Sequence, residues 1–93
     1  MYQIKKGVDR FYAISDGNIE IGELTYFSRG NYLVANHTYV DPKYRGQNIA
    51  RELLNAFVEY CRQEKKKIIP ICSYIQAVFT KNKNEYRDVW DEI

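Results

Sequence analysis

The residues from Lys43 to Asn48 place two cationic side chains and a glycine directly before a long amphipathic stretch. The free backbone N–H groups at a helix start, together with the positive end of the helix dipole, bind anions such as phosphate. Gly46 permits close approach of the backbone to a ligand, and Lys43 and Arg45 add positive charge. This pattern suits a phosphate-binding turn. The alternative is an ordinary connection between a strand and a helix.

Two other side chains could take part in proton transfer or thiol chemistry. His37 is the only histidine, and histidine accepts and releases protons near neutral pH. Cys72 follows a short apolar stretch, and a cysteine beside a base becomes a nucleophile. His37 is therefore a candidate general base, and thiol chemistry at Cys72 remains possible. The alternatives are a strand histidine bonded to the backbone and an inert packing cysteine. Cys61 is interpreted as a core residue of the helix.

The composition restricts the classes of protein that this chain can represent. Its 93 residues, 45% hydrophobic and 28% charged, predict one globular domain spanning residues 1–93. Two cysteines without close histidine spacing argue against a disulfide framework and a metal site. The start of the chain lacks a signal-peptide pattern and no long apolar run follows, so we expect a cytoplasmic protein without membrane contact. The net charge of +2 is too small to indicate nucleic acid as a partner, which we do not expect.

The elements that must position these residues follow from periodicity. Alternation predicts strands over residues 11–15, 19–27 and 32–40, with a hairpin turn at residues 16–18. The third of these carries bulky residues on both faces and is predicted to be central. Apolar residues at three- and four-residue spacing predict a helix from about residue 44 to residue 64, followed by a buried strand over residues 68–72. Strand, helix and strand form a right-handed parallel crossover, with the glycine turn at the carboxyl end of the third strand.

Proline in the last strand allows two interpretations. Pro70 has no N–H for the sheet, so either the neighbouring strands separate near it and leave a gap, or the strand lies at an edge. Ser73 is predicted to cap a short helix through about residue 80, and Asn84 to cap another that carries Tyr86. The predicted fold class is α+β, with antiparallel N-terminal strands, an α/β crossover and short C-terminal helices.

Three motifs together resemble the GCN5-related N-acetyltransferases, whose acetyl-CoA signature is Gln/Arg-x-x-Gly-x-Gly/Ala at a strand-to-helix turn. The match is Lys43–Asn48, with lysine in place of the first Gln or Arg and asparagine in place of the second Gly or Ala. His37–Pro42 before the turn and Pro70–Cys72 after the helix resemble motifs of the very small members. The resemblance covers about residues 10–90 and implies a minimal acyl-CoA N-acyltransferase fold.

The resemblance also implies acetyl-CoA as cosubstrate, no metal, and a set of site residues. Amides of the turn would hold the pyrophosphate, and the preceding strand would pair with the pantetheine arm. The implied CoA-binding residues are Tyr39, Val40, Lys43, Arg45, Gly46, Gln47, Asn48, Ile49 and Ala50, with Lys81 toward the 3′-phosphate. Cys72 would lie by the acetyl group, His37 would act as base, and Tyr86 would protonate the thiolate. The alternatives are a packing role for Tyr86 and a solvated Lys81. The side chain of Asn48 enters the path of the pyrophosphate, which affects CoA affinity.

The implied function is acetyl-CoA-dependent transfer to an amine by a monomeric N-acetyltransferase. Only short turns join the first strands, whereas larger members carry extra helices there, so we expect an open acceptor side. An open site suits an amine on a protein or peptide, or a loosely held small amine. The alternatives are an acyl-CoA-binding module without turnover and a module that binds nucleic acid or a partner through the basic cluster Arg62–Lys67. No aromatic residue lies within that cluster, which argues against nucleic acid.

Overall fold

A single five-stranded sheet dominates the computed structural model, which describes residues 1–91. The strands lie in the sheet in the order in which they occur along the chain. Their bounds are β1 Tyr2–Gly7, β2 Arg10–Ser15, β3 Glu20–Arg29, β4 Tyr32–Val40 and β5 Lys67–Pro70. The first four are antiparallel neighbours, and β5 is parallel to β4. The mixed sheet confirms the predicted fold class.

The first strand, β1, was not predicted from the sequence. It pairs with β2 along its whole length, from Tyr2 opposite Ser15 to Gly7 opposite Arg10. Lys5 and Lys6 weaken its apolar alternation, as is common for strands at the edge of a sheet. The ammonium of Lys6 lies over the ring of Tyr60, 4.8 Å from its centroid. The predicted third strand is β4, an interior strand between β3 and β5. Because β1 adds a strand at the opposite edge, β3 is the centre of the sheet.

The long helix α1 spans Ile49–Glu64 and begins later than the periodicity indicated. Pro42–Tyr44 forms a single 3₁₀ turn, and the residues from there to Asn48 are a loop. The predicted buried stripe is confirmed, and Cys61 within it is fully buried. Burial raises the pKa of the Cys61 thiol to about 12, which keeps this cysteine protonated and unreactive.

The parallel crossover from β4 through α1 to β5 is confirmed. Both interpretations of Pro70 hold, because β5 is the last strand in the sheet order and its pairing with β4 ends at Ala35 opposite Pro70. The amides of Ile71 and Cys72 both donate to the carbonyl of Ala35, at 3.0 and 3.1 Å. The remainder of β4 continues to Val40 without a strand on that side. A gap therefore opens between β4 and the chain that follows β5.

Two short helices complete the described chain, α2 at Ser73–Lys81 and α3 at Lys83–Tyr86. Both predicted caps are wrong. Cys72 occupies the cap position of α2, since its carbonyl accepts from the amide of Gln76 at 3.0 Å, and Ser73 is the first helical residue. Asn82 occupies the cap position of α3, so Asn84 lies inside it. Within residues 1–91, no helix has the length and apolar character needed to cross a membrane.

The three helices lie on one face of the sheet. Their buried side chains form one cluster with strand residues that alternate along β2, β3 and β4, including Phe11, Leu24 and Leu33. Phe57 of α1 packs on Phe11 and Tyr26, with ring centroids 6.2 and 5.0 Å apart. The intervening strand side chains point to the other face, which we call the open face. No helix of the described chain covers it.

Candidate functional site

The first backbone amides of the loop before α1 donate to groups of the loop itself, whereas the amides at the start of the helix have no intrahelical partner. The carboxylate of Asp41 accepts from the amide of Lys43 at 2.9 Å, and the Asp41 carbonyl accepts from the amide of Tyr44 at 2.8 Å. The first helical bond of α1 runs from the amide of Glu52 to the carbonyl of Asn48 at 3.1 Å. The three amides at positions 49–51 therefore lack an intrahelical partner. The side chain of Asn48 does not cap the helix either. These amides are available to an anion.

Two residues of the loop have left-handed backbone conformations. Gly46 has φ +86°, and a Cβ added there would meet no heavy atom within 4 Å. Glycine is therefore required by the backbone angle rather than by crowding. Asn48 has φ 65°, which asparagine tolerates better than most residues. The loop thus turns sharply enough to direct its free amides outward.

A cleft of about 520 Å³ opens between this loop, the end of β4 and the start of α2. Six residues that the resemblance implies for CoA line it: Val40, Arg45, Gly46, Asn48, Ile49 and Ala50. Four further lining residues were missed in the sequence: Thr38, Tyr44, Arg51 and Tyr74. Alternation along β4 could have identified Thr38, because it shares a face with Val40. Arg51 and Tyr74 had no comparable signal, since their place depends on how α2 packs beside α1.

The other implied CoA residues lie outside this cleft. Tyr39 points to the open face and is 48% exposed. Lys43 and Gln47 are exposed on the loop, and the carbonyl of Gln47 accepts from the Tyr2 hydroxyl at 3.4 Å. Lys81 lies at the end of α2 in a separate polar depression. The structure thus brings together the glycine turn and the end of β4, and it leaves these four side chains at the periphery.

The side chains that line the cleft carry positive charge and no carboxylate. Arg45 extends from the loop and Arg51 from the first turn of α1. A terminal nitrogen of Arg51 lies 3.6 Å from the carboxylate of Glu85, and its Nε is buried without a hydrogen-bond partner among residues 1–91. Burial raises the pKa of Tyr74, and the nearby Arg51 opposes this shift in part. The Tyr74 hydroxyl is therefore a protonated donor at neutral pH.

Cys72 lies where the cleft reaches the gap between β4 and β5. Its Sγ is 3.5 Å from the hydroxyl oxygen of Thr38, and either atom can donate in this contact. The cysteine is half-buried, in contrast to the fully buried Cys61. Among the described residues, no group of three or more His, Cys, Asp or Glu side chains could hold a metal ion. The thiol and the hydroxyl are therefore in contact across the gap, between the end of β4 and the start of α2.

His37 occupies the opposite face of the sheet. It alternates with Thr38 along β4 and is exposed beside Thr25, its cross-strand neighbour. A register shift at this point leaves Asn36 as an extra residue in β4, and its side-chain oxygen accepts from the Thr25 hydroxyl at 2.7 Å. Such bulges re-aim side chains next to active sites. The histidine and the cysteine thus approach the gap from different faces.

Tyr86 lies within the core and does not line the cleft. Its ring stacks on Phe79 with centroids 4.4 Å apart, and 1% of its surface is exposed. The hydroxyl is buried beside Arg51 and Glu85, no hydrogen bond of good geometry to it forms in the described chain, and burial raises its pKa. Two tyrosines line the cleft, Tyr44 from the turn after β4 and Tyr74 from the start of α2.

Comparison with known proteins identifies similar sequences and folds. A family profile for GCN5-related N-acetyl-transferase matches residues 10–89. No curated protein matches this sequence. The NMR structure of a GCN5-like protein from Staphylococcus aureus is 35% identical, with a TM-score of 0.78 over 98% of this chain and 89% of that chain.

Two larger proteins from Escherichia coli share the fold at low identity. The GNAT family N-acetyltransferase YhbS, solved in complex with CoA, is 13% identical, with a TM-score of 0.67 over 87% of this chain and 66% of that chain. The ribosomal-protein-S18-alanine N-acetyltransferase is 14% identical, with a TM-score of 0.66 over 82% of this chain and 53% of that chain. The present chain thus covers about half to two thirds of these larger proteins.

Proposed function

The chain belongs to the GCN5-related N-acetyltransferase family, and on that premise we propose that it transfers an acetyl group from acetyl-CoA to an amine. The observation that carries this proposal is the continuity of one cleft. It begins at the free amides of the α1 start and passes the end of β4. Thr38 lines it, and the contact of Thr38 with Cys72 brings it to the gap. One end suits a pyrophosphate and the other suits a thioester.

The residues at the anionic end fit CoA. Amides at positions 49–51 have no protein partner in the helix, and the left-handed Gly46 leaves the space in front of the loop open. Arg45 and Arg51 supply positive charge without a carboxylate in the lining. Acetyl-CoA would supply the activated acyl group. The exposed edge of β4 beyond Ala35 offers backbone groups to its extended arm.

At the reacting end, the acyl group would be held from the helical face of the sheet, and the amine would lose its proton on the open face. Cys72 and Thr38 would hold the thioester from the helical face, and Cys72 would either position it or accept the acetyl group itself. Tyr74 would protonate the departing thiolate, a role we move from Tyr86 because Tyr86 does not line the cleft. His37 would take the proton of the amine from the open face, directly or through water.

The acceptor side of this site is open. The turns that join the first four strands are short, and the described chain has no helix on the open face. We therefore propose that the acceptor is an amine on a peptide or protein, rather than an enclosed metabolite. Lys81 and Lys83 share the depression at the end of α2, where they would meet an outlying phosphate of CoA.

The test combines calorimetric titration of CoA with intact-mass spectrometry after incubation with acetyl-CoA and a panel of amines. We expect CoA binding, acetyl transfer to at least one amine, and any covalent acetyl group on Cys72 and not on the buried Cys61. A Cys72→Ala variant distinguishes the two roles, because direct transfer survives the change and covalent transfer does not. Binding without transfer to any amine would leave an acyl-CoA-binding module. The absence of CoA binding would refute both functions.

A further inference from the structure

The side chain of Arg51 lies between the cleft and α3. Arg51 belongs to the first turn of α1, and it lines the cleft together with Tyr74. Its positive charge opposes the rise in the pKa of Tyr74, so the charged group is close to the tyrosine. A terminal nitrogen of Arg51 also lies 3.6 Å from the carboxylate of Glu85 in α3, which does not line the cleft. The guanidinium can therefore face either the cleft or this carboxylate.

The contact between Arg51 and Glu85 is loose. A distance of 3.6 Å exceeds that of a hydrogen bond, and the two side chains are 33% and 53% exposed. The Nε of Arg51 is buried without a hydrogen-bond partner among residues 1–91. The other arginine of α1, Arg62, differs, because its Nε donates to Asp88 at 2.8 Å and its Nη1 to Glu59 at 2.9 Å. Arg51 therefore retains free donors, and an exposed pair of this kind is readily exchanged.

The position of α3 does not depend on the carboxylate of Glu85. The backbone carbonyl of Glu85 accepts from the Nη2 of Arg62 at 2.9 Å. The next residue, Tyr86, stacks on Phe79 within the core, with ring centroids 4.4 Å apart. Arg62 also holds Asp88, which lies just beyond α3. Removal of the charge of Glu85 should therefore leave α3 in place and the protein folded.

Glu85 is the acidic group that competes for the charge of the cleft. Two arginines and no carboxylate line the cleft, and Glu85 is the only carboxylate of residues 1–91 that pairs with either of them. An anion held by the free amides of residues 49–51 would lie close to the side chain of Arg51. A guanidinium binds phosphate through two N–H groups, which is a stronger contact than the loose pair with Glu85.

We propose, on the basis of the acetyl-CoA-dependent function above, that Arg51 exchanges the carboxylate of Glu85 for a phosphate of CoA. Glu85 is thus a counter-ion that lowers the affinity of the cleft for CoA. It also determines specificity, because a ligand without negative charge at the start of α1 cannot take its place.

The test is calorimetric titration of CoA into the parent protein, Glu85→Gln, Arg51→Gln and the double variant. Glu85→Gln should bind CoA about threefold more tightly, because Arg51 no longer has to leave a charged partner. Arg51→Gln should bind CoA about tenfold more weakly, because a charge-assisted contact with phosphate is lost. The double variant should match Arg51→Gln, because the effect of Glu85 requires the arginine.

Glu59→Gln is the matched control. Glu59 is also an exposed carboxylate paired with an arginine of α1, but its partner, Arg62, does not line the cleft. This variant should bind CoA as the parent protein does. If Glu85→Gln binds CoA no more tightly than Glu59→Gln, or if it tightens binding equally in the absence of Arg51, the exchange is refuted.

The Nε–H signals of the arginines give a second readout by NMR. The signal of Arg51, identified by its loss in Arg51→Gln, should shift when CoA is added. The signal of Arg62 should stay in place, because its Nε donates to Asp88 at 2.8 Å. An Arg51 signal that does not move while CoA is bound would overturn the proposal.

The exchange and the acetyltransferase function fail in distinguishable ways. If the parent protein binds CoA and acetylates an amine, but Glu85→Gln has no effect on affinity, the function stands and the exchange is refuted. If the expected affinities are found and no amine is acetylated, the exchange stands and acetyl transfer is refuted. If none of the proteins binds CoA, both are refuted.

Discussion

Replacing Gly46 by alanine tests whether the left-handed loop creates the CoA site. Gly46 has φ +86°, and the space that a Cβ would occupy is empty to 4 Å. The substitution therefore causes no clash, and its cost is the backbone term alone, about 1–2 kcal/mol for a non-glycine residue in the left-handed region. If the loop keeps its shape, the protein loses this stability. If the loop relaxes instead, the free amides of α1 lose their alignment and CoA affinity falls about tenfold for each 1.4 kcal/mol.

Gly30 provides a matched control. It has φ +60° in the turn between β3 and β4, and a Cβ there also meets nothing within 4 Å. Gly30→Ala should lower the free energy of unfolding in urea by about 1–2 kcal/mol, the same loss that we expect for Gly46→Ala if its loop keeps its shape. Calorimetry should show weaker CoA binding for Gly46→Ala alone. If Gly46→Ala changes neither the stability nor the CoA affinity, or if both variants weaken CoA binding equally, the loop does not organise the site.

Three further predictions concern single side chains. Asn48→Gly should tighten CoA binding about threefold in calorimetry, because glycine adopts φ 65° freely and removes a side chain from the cleft; weaker binding would show that the asparagine contacts the ligand. Tyr74→Phe should lower kcat about tenfold or more with little change in CoA affinity, whereas Tyr86→Phe should leave kcat nearly unchanged, because its hydroxyl does not line the cleft; the opposite pattern would return the donor role to Tyr86. The pKa of Cys61 is raised from 9.0 to about 12, so the folded state holds this proton more tightly and stability is lost as the pH rises from 9.0 toward 12. From about pH 7 to about pH 10.5 the loss is roughly 2 kcal/mol. Cys61→Ala should remove that part of the pH dependence in urea unfolding, and an unchanged slope would contradict it.

The sequence predicted the arrangement of the site better than its individual side chains. The glycine turn, the parallel crossover and the interruption at Pro70 each depend on local backbone chemistry, and local patterns reveal such features. The strand β1 was missed because its lysines obscure the alternation. The helix start was placed too early because the apolar pattern extends to Tyr44, which packs against the core although it precedes the helix.

The side chains around the reacting end depend on tertiary packing. Tyr74 reaches the cleft because α2 begins at Ser73, which places the start of α2 across the cleft from the first turn of α1. His37 and Thr38 are adjacent in the chain but occupy different faces, and the bulge at Asn36 sets which face each one takes. A sequence pattern identifies such residues as polar and near the turn. It does not distinguish the face from which each one acts.

The strand order of the sheet has a consequence for the order of folding. Because each strand follows its neighbour along the chain, the first four can pair through short loops while the rest is still being synthesised. The contact between Thr38 and Cys72, by contrast, joins residues 34 positions apart and forms only after α1 and β5 have docked. The end of β4 is therefore in place before the cleft is complete. If the chain binds CoA as proposed above, the growing chain acquires this property last, and CoA stabilises only the completely folded protein.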